Sequence, residues 1–252
     1  MNKHPIGIFD SGIGGLSVVN EIKKVLPNES IIYLADKKNF PYGEKTPRQI
    51  INAAEKNTKW LLTKNVKLIV VACNTATVNA ISHLREKFKN IDFVGMEPAV
   101  KPAAIKSKKG IIILSSPKAA ASSQLNILIK KFTKGIKVIN LSSLELVKAV
   151  ESRKGYKEIQ KILKNTISKK QLNEADVLVL GCTHFPLIKD KIQKFVGKSI
   201  TIIDSGEAVA KRVEFLLKER KMLNTKGVSN YNFFTTGKVN RVRGLSFREI
   251  NI

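Results

Sequence analysis

Cysteine is scarce in this 252-residue sequence: there are two, Cys73 and Cys182, 109 residues apart. That excludes a disulfide framework. It also excludes the closely spaced pairs from which structural zinc sites are built, so no metal is expected. A folded chain of this length buries about 70–75% of its unfolded surface and needs no such staples. No run of 18 apolar residues occurs, which excludes a membrane-spanning helix. Residues 1–10 lack a basic stretch leading into a long apolar core, so no export signal is expected and a cytoplasmic location is. Aromatics make up 6% of the residues, and arginine supplies only 8 of the 45 basic side chains. Arginine reads bases and aromatics stack on them, so their shortage argues against a specific nucleic-acid site.

What is abundant is lysine, isoleucine and asparagine, at 37, 29 and 19 residues. All three have AT-rich codons, and the lysines are spread along the whole chain. The net charge of +25 therefore reads as compositional drift on a solvated surface, with at most weak, nonspecific attraction to polyanions. The 43% hydrophobic content is that of a globular chain.

Short apolar runs alternate with helical patterns. The predicted strands are Ile6–Asp10, Ile31–Ala35, Leu68–Ala72, Phe93–Gly95, Gly110–Leu114, Lys137–Asn140, Val177–Leu180 and Ile200–Ile203. Nearly continuous apolar strands separated by helices predict an α/β fold with mostly parallel sheets covered on both faces. Thr46-Pro47 predicts a helix start, as does Pro186, and Ser142 with Glu145 predicts a capping box. Two echoes point to related α/β halves. Lys67–Thr75 resembles Asp176–His184, and Phe9-Asp10-Ser11-Gly12 resembles Ile203-Asp204-Ser205-Gly206.

Ligands of open α/β sheets sit beyond the carboxyl ends of the strands. The polar signatures of this sequence fall there: Asp10-Ser11-Gly12-Ile13-Gly14-Gly15, Cys73-Asn74-Thr75 and Cys182-Thr183-His184. Both cysteines are expected at a strand end before a helix, where the helix dipole favours a thiolate. A lone cysteine is usually a small buried hydrophobe. Two in the same position, each followed by hydrogen-bonding residues, point to chemistry. His184 stands beside one thiol, where it could orient or protonate. A dinucleotide fingerprint is the rival for the glycine loop, with Asp36 at the end of the second strand. However, Ser17 occupies the third glycine's place, and Asp10 would face a pyrophosphate.

In order along the chain, Gly7–Leu16, Pro41-Tyr42-Gly43, Val71–Ala76, Val150-Glu151, Leu180–Leu187 and Thr236-Gly237 resemble the glutamate racemases of the cofactor-independent aspartate/glutamate racemase superfamily. The resemblance covers essentially the whole chain. It implies interconversion of L- and D-glutamate without pyridoxal phosphate, metal or nucleotide, with D-glutamate supplied to peptidoglycan and so to cell-wall biogenesis. It implies Cys73 and Cys182 as the two bases, Asp10 supporting Cys73, and His184 supporting Cys182 with Glu151 behind it. Asp10, Ser11, Tyr42, Gly43, Asn74, Thr75, Thr183 and His184 would line the substrate. It implies a first domain of residues 1–97 plus 207–252, a second of 98–206, and an active site between them.

Three positions depart from that pattern. Ala119 replaces a carboxylate-gripping threonine, Leu125 a tyrosine and Phe185 a tyrosine, which leaves Ser116 or Ser122 to compensate. Other readings are a racemase of aspartate or another acidic amino acid, or a basic binding protein of the same fold with impaired catalysis. The sequence is compatible with a homodimer and does not fix the oligomeric state.

Overall fold

The computed structural model describes residues 3–239, 242 and 244–252. The chain forms two compact units, one of residues up to Met96 and from Gly206 onward, the other Glu97–Ser205. The first contains β1 (Ile6–Asp10), β2 (Ile31–Ala35), β3 (Leu68–Val71) and β4 (Phe93–Gly95). The second contains β5 (Gly110–Ser115), β6 (Lys137–Ser142), β7 (Val177–Gly181) and β8 (Thr201–Ile203). The returning chain adds β9 (Tyr231–Thr235) and β10 (Arg248–Glu249) to the first.

Each unit is built on a parallel sheet. The strand orders are β10-β9-β2-β1-β3-β4 and β6-β5-β7-β8. Without the two returning strands, both sheets run second-first-third-fourth. The central strands β1, β3, β5 and β7 are buried at every residue. That is why they read as unbroken apolar runs. All eight predicted strands form. The sequence reading missed β9, although Tyr-Asn-Phe-Phe-Thr is rich in strand formers, and it missed the two-residue β10.

The shared strand order separates the two echoes. β3 and β7 are each the third strand of their unit, so Cys73 and Cys182 are topologically equivalent. Asp10 ends a first strand, whereas Asp204 follows a fourth, so the Asp-Ser-Gly echo has no counterpart in the fold.

Local signals placed most helices. In the helix Pro47–Leu62, Thr46 Oγ1 accepts from Gln49 N (3.3 Å) and Gln49 Oε1 accepts from Thr46 N (2.9 Å). Such a cap contributes about 1 kcal/mol. Ile50, Ala53, Ala54 and Leu61 form its buried face. The box expected at Ser142 does not form. Ser142 is still paired with Ser115 in the sheet, and the cap falls to Ser143, whose Oγ accepts from Leu146 N at 3.1 Å. That cap starts the helix Leu144–Glu151, which ends on a predicted site residue. Pro186 opens a 3-10 turn, Phe185–Ile188, ahead of the helix Lys189–Val196.

A buried ion pair anchors the segment leading to β9. Lys67 Nζ lies 2.6 Å from Glu29 Oε2 and donates to Met222 O, while Asn224 N donates to Glu29 Oε1. Removing one partner would strand a buried charge, at a cost of about 3–5 kcal/mol.

Candidate active site

The first cluster lies at the carboxyl ends of β1 and β3. Val71 pairs with Phe9, so two residues further on Cys73 stands opposite Ser11. Cys73 has an extended backbone and occupies the cap position of the helix Asn74–Lys87. Its sulfur therefore sits at the positive end of a 14-residue helix, next to N–H groups that have no intrahelical acceptor. Cys73 Sγ donates to Ser11 Oγ at 3.8 Å, and Ser11 Oγ donates to Asp10 Oδ1 at 3.3 Å. Asp10 also accepts from Gly12 N at 2.9 Å. The carboxylate thus reaches the thiol through a hydroxyl. Asp10, Ser11, Cys73, Asn74 and Thr75 are all buried.

Asn74 is oriented by its amide. Nδ2 donates to Met96 O at 3.3 Å, which turns Oδ1 away from that carbonyl. This oxygen is buried and has no hydrogen-bond partner among the described residues. An orphaned buried acceptor costs about 1–3 kcal/mol, so the position is built for a donor that the folded chain does not supply.

The glycine loop does not resemble a pyrophosphate cradle. A Cβ on Gly15 would lie 2.8 Å from the Asp10 Cβ and 2.8 Å from the Tyr33 hydroxyl oxygen. Glycine is required there because protein atoms crowd the backbone, and Tyr33 donates its hydroxyl to Gly12 O.

The second cluster lies at the carboxyl ends of β5 and β7. Gly181 pairs with Ser115, so one residue on Cys182 stands opposite Ser116, as Cys73 stands opposite Ser11. The neighbours then diverge. Ser115 occupies the place equivalent to Asp10, so no carboxylate comes from the first strand. Cys182 is also not at an α-helix cap as expected, because the 3-10 turn intervenes. Instead Cys182 Sγ lies 3.8 Å from His184 Nδ1, and His184 Nε2 lies 2.8 Å from Glu151 Oε2. The His184 and Glu151 side chains are 2% and 3% exposed. Burial pulls the imidazole's pKa down, but hydrogen bonds and charge from Cys182 and Glu151 outweigh it and hold it well above the ordinary value. His184 is therefore held as a cation between Cys182 and Glu151. Thr183 is buried beside it.

Three further residues can be placed. Tyr42, in the 3-10 turn Tyr42–Glu44, donates its hydroxyl to Asp36 Oδ2 at 2.6 Å and accepts from Asn57 Nδ2 at 3.1 Å. Its one proton is committed, so what it can offer a ligand is its ring and backbone. Gly43 is half-buried. Ser122 Oγ accepts from Leu125 N and donates to Ala119 O, so its hydroxyl is occupied in capping. Of the two serines expected to compensate for Ala119, Ser116 is the one that is buried and opposite Cys182.

Sequence reasoning weighed Asp36 only for the rival dinucleotide fingerprint, passed over Asn57 and gave Thr236 no role. The missed signal was a polar pair, Asn57-Thr58, on the otherwise apolar face of the helix Pro47–Leu62. Among the described residues no group of three or more His, Cys, Asp or Glu side chains is arranged to hold a metal ion.

Comparison with known proteins fits this arrangement. Residues 6–213 match the family model described as Asp/Glu/Hydantoin racemase. The chain belongs to that family. As a racemase of this family it is similar to the glutamate racemase of Ectopseudomonas mendocina, 36% identical over 96% of this chain and 92% of the relative. It is also similar to that of Clostridium botulinum, 41% identical over 88% and 86%. Among solved structures, Escherichia coli glutamate racemase in complex with L-glutamate and the activator UDP-MurNAc-ala has a TM-score of 0.84 at 33% identity, covering 94% of this chain and 90% of that one. The Francisella tularensis enzyme in complex with D-glutamate has a TM-score of 0.80 at 31% identity, covering 95% and 90%.

Proposed function

We propose that this racemase interconverts L- and D-glutamate by a two-base mechanism, in which one of Cys73 and Cys182 removes the α-proton and the other delivers its own proton to the opposite face, and that it supplies D-glutamate for peptidoglycan in the cytoplasm. The observation that carries the mechanism is the pair of buried thiols at equivalent strand ends, each with its own proton-handling partners. Inverting a carbon needs a base on one face and an acid on the other. Two thiols in opposite protonation states do both and exchange roles with direction. A free thiol has a pKa of about 8.5, so neighbours must set which sulfur holds the proton.

The remaining residues serve the substrate's charges. Asn74 Oδ1 suits the α-ammonium, because it is a buried acceptor in need of a donor. The first N–H groups of the helix Asn74–Lys87, with Ser11 and Thr75, suit the α-carboxylate and the negative charge that develops on deprotonation. Tyr42 and Gly43 contribute ring and backbone. Thr183 and Ser116 lie beside Cys182, where Ser116 takes the place of the missing threonine hydroxyl.

The test is proton exchange. Purified protein incubated with either glutamate enantiomer in deuterated water should lose the α-proton signal while optical rotation decays to zero. Rotation that persists with both enantiomers would refute the activity. Comparing kcat/KM for glutamate and aspartate tests the substrate, and a higher value for aspartate would reassign it.

A further inference from the structure

We propose that Asp36 is a positioning residue for the Cys73 side of the reaction. This rests on the two-cysteine reading above. Asp36 follows β2 and is buried, yet its carboxylate takes hydrogen bonds from four side chains. Thr236 Oγ1 donates to Oδ1 at 2.8 Å, and Tyr42 OH donates to Oδ2 at 2.6 Å. Asn39 Nδ2 reaches both oxygens at 3.1 and 3.0 Å, and Asn57 Nδ2 reaches Oδ2 at 3.3 Å.

Every contact is a donor, which suits an ionised carboxylate and no neutral isostere. Asn57 turns its amide toward this centre although its own Oδ1 is left buried without a partner among the described residues. Thr236 Oγ1 also accepts from Lys38 N at 3.0 Å, tying the returning chain to the start of the segment that carries Pro41-Tyr42-Gly43. That segment ends beside the thiol. Tyr42 and Cys73 belong to one buried cluster, and Cys73 is among the groups that raise the Tyr42 phenol. Asp36 therefore sets where the Tyr42 ring stands, within the buried cluster that also holds Cys73. The Cys182 relay through His184 and Glu151 shares none of these groups.

The experiment uses 3-chloroglutamate of each handedness. One thiolate takes the α-proton, the Cβ–Cl bond breaks with loss of chloride, and the enamine hydrolyses to 2-oxoglutarate and ammonium. Cys73→Ser identifies the enantiomer that depends on Cys73. Small displacements of reacting groups can cost up to about 100-fold. In Asp36→Asn we expect kcat for that enantiomer to fall roughly tenfold and kcat for the other to stay within about twofold, with any rise in KM shared. Thr236→Val, which removes one donor and keeps the volume, should give the same asymmetry at about threefold and covers the case in which Asp36→Asn does not fold. Equal losses for both enantiomers, or none for either, in a wild type that racemises glutamate would overturn the role of Asp36. A wild type that fails to racemise glutamate would instead overturn the reading on which it rests.

Discussion

Cys73 and Cys182 each follow the third strand of a second-first-third-fourth parallel sheet, and each stands opposite a serine, Ser11 or Ser116. The groups beyond those serines differ in charge. Around Cys73 they are a helix N-terminus and the Asp10 carboxylate, reached through Ser11. Around Cys182 they are the His184 cation and Glu151. Equivalent backbone positions thus carry unlike proton chemistry. On the two-base mechanism this difference has a use, because a racemase at rest needs one thiolate and one thiol. Each thiol therefore has its own polar partners, a cation beside Cys182 and a carboxylate behind Ser11 on the Cys73 side.

The ratio kcat/KM for racemisation cannot expose this asymmetry. Enantiomers are equally stable in solution, so kcat/KM must be the same in both directions for every variant. Elimination from 3-chloroglutamate lifts that constraint, since it uses one face and is irreversible.

The largest effect is expected from the thiols themselves. Cys73→Ser and Cys182→Ser should each abolish racemisation, because a serine hydroxyl is far too weak an acid to replace a thiol. Each should still eliminate chloride from one enantiomer, the L form for Cys73→Ser and the D form for Cys182→Ser. A single variant with near wild-type racemisation would end the two-base account. Next come the unlike partners. Asp10→Asn should slow elimination by Cys73 and His184→Asn that by Cys182, each by about 10²–10⁴-fold in kcat, with the opposite face changed far less. If Asp10→Asn slows both faces alike, Asp10 serves the substrate and not the thiol.

The serines sharpen the comparison at a smaller scale. Ser116→Ala should raise KM for glutamate about tenfold or more, since a hydrogen bond to a charged group is worth roughly 1.5–3 kcal/mol. Ser122→Ala should leave KM unchanged and cost about 1 kcal/mol of stability, through the lost cap. Titration of the variants' KM and thermal denaturation separate the two, and the opposite pattern would move the carboxylate contact to Ser122.

The smallest effect concerns pH. His184 has a raised pKa in the folded chain, so the native state keeps its proton to higher pH than the unfolded state, where the value is about 6.5. The resulting stability is complete below about 6.5 and is lost as pH rises through the native value. Glu151→Gln removes one of the two partners that raise it, so Tm should fall less steeply between pH 6 and 9 than in the wild type. An unchanged slope would mean that Cys182 alone holds the proton on His184.

Eight of the ten strands among the described residues, and the places where chemistry could sit, were legible in the order of residues along the chain. β1, β2, β3, β5 and β7 are apolar runs buried at every residue, and burial on both faces writes itself into composition residue by residue. The two Cys-centred signatures were legible for the same reason, since each is a few residues long and directly follows a strand. The tertiary structure alone decided what those residues meet. The similar tetrapeptides at Asp10 and Asp204 proved unrelated because one ends a first strand and the other follows a fourth. Ser116 became the counterpart of Ser11 only through strand register. Thr236 met Asp36 across 200 residues because β9 returns to pair with β2. Periodicity and capping report on neighbours within a few positions along the chain. Which distant segment shares a sheet edge, and which donor then points at which carboxylate, depends on chain topology, and no local pattern encodes it.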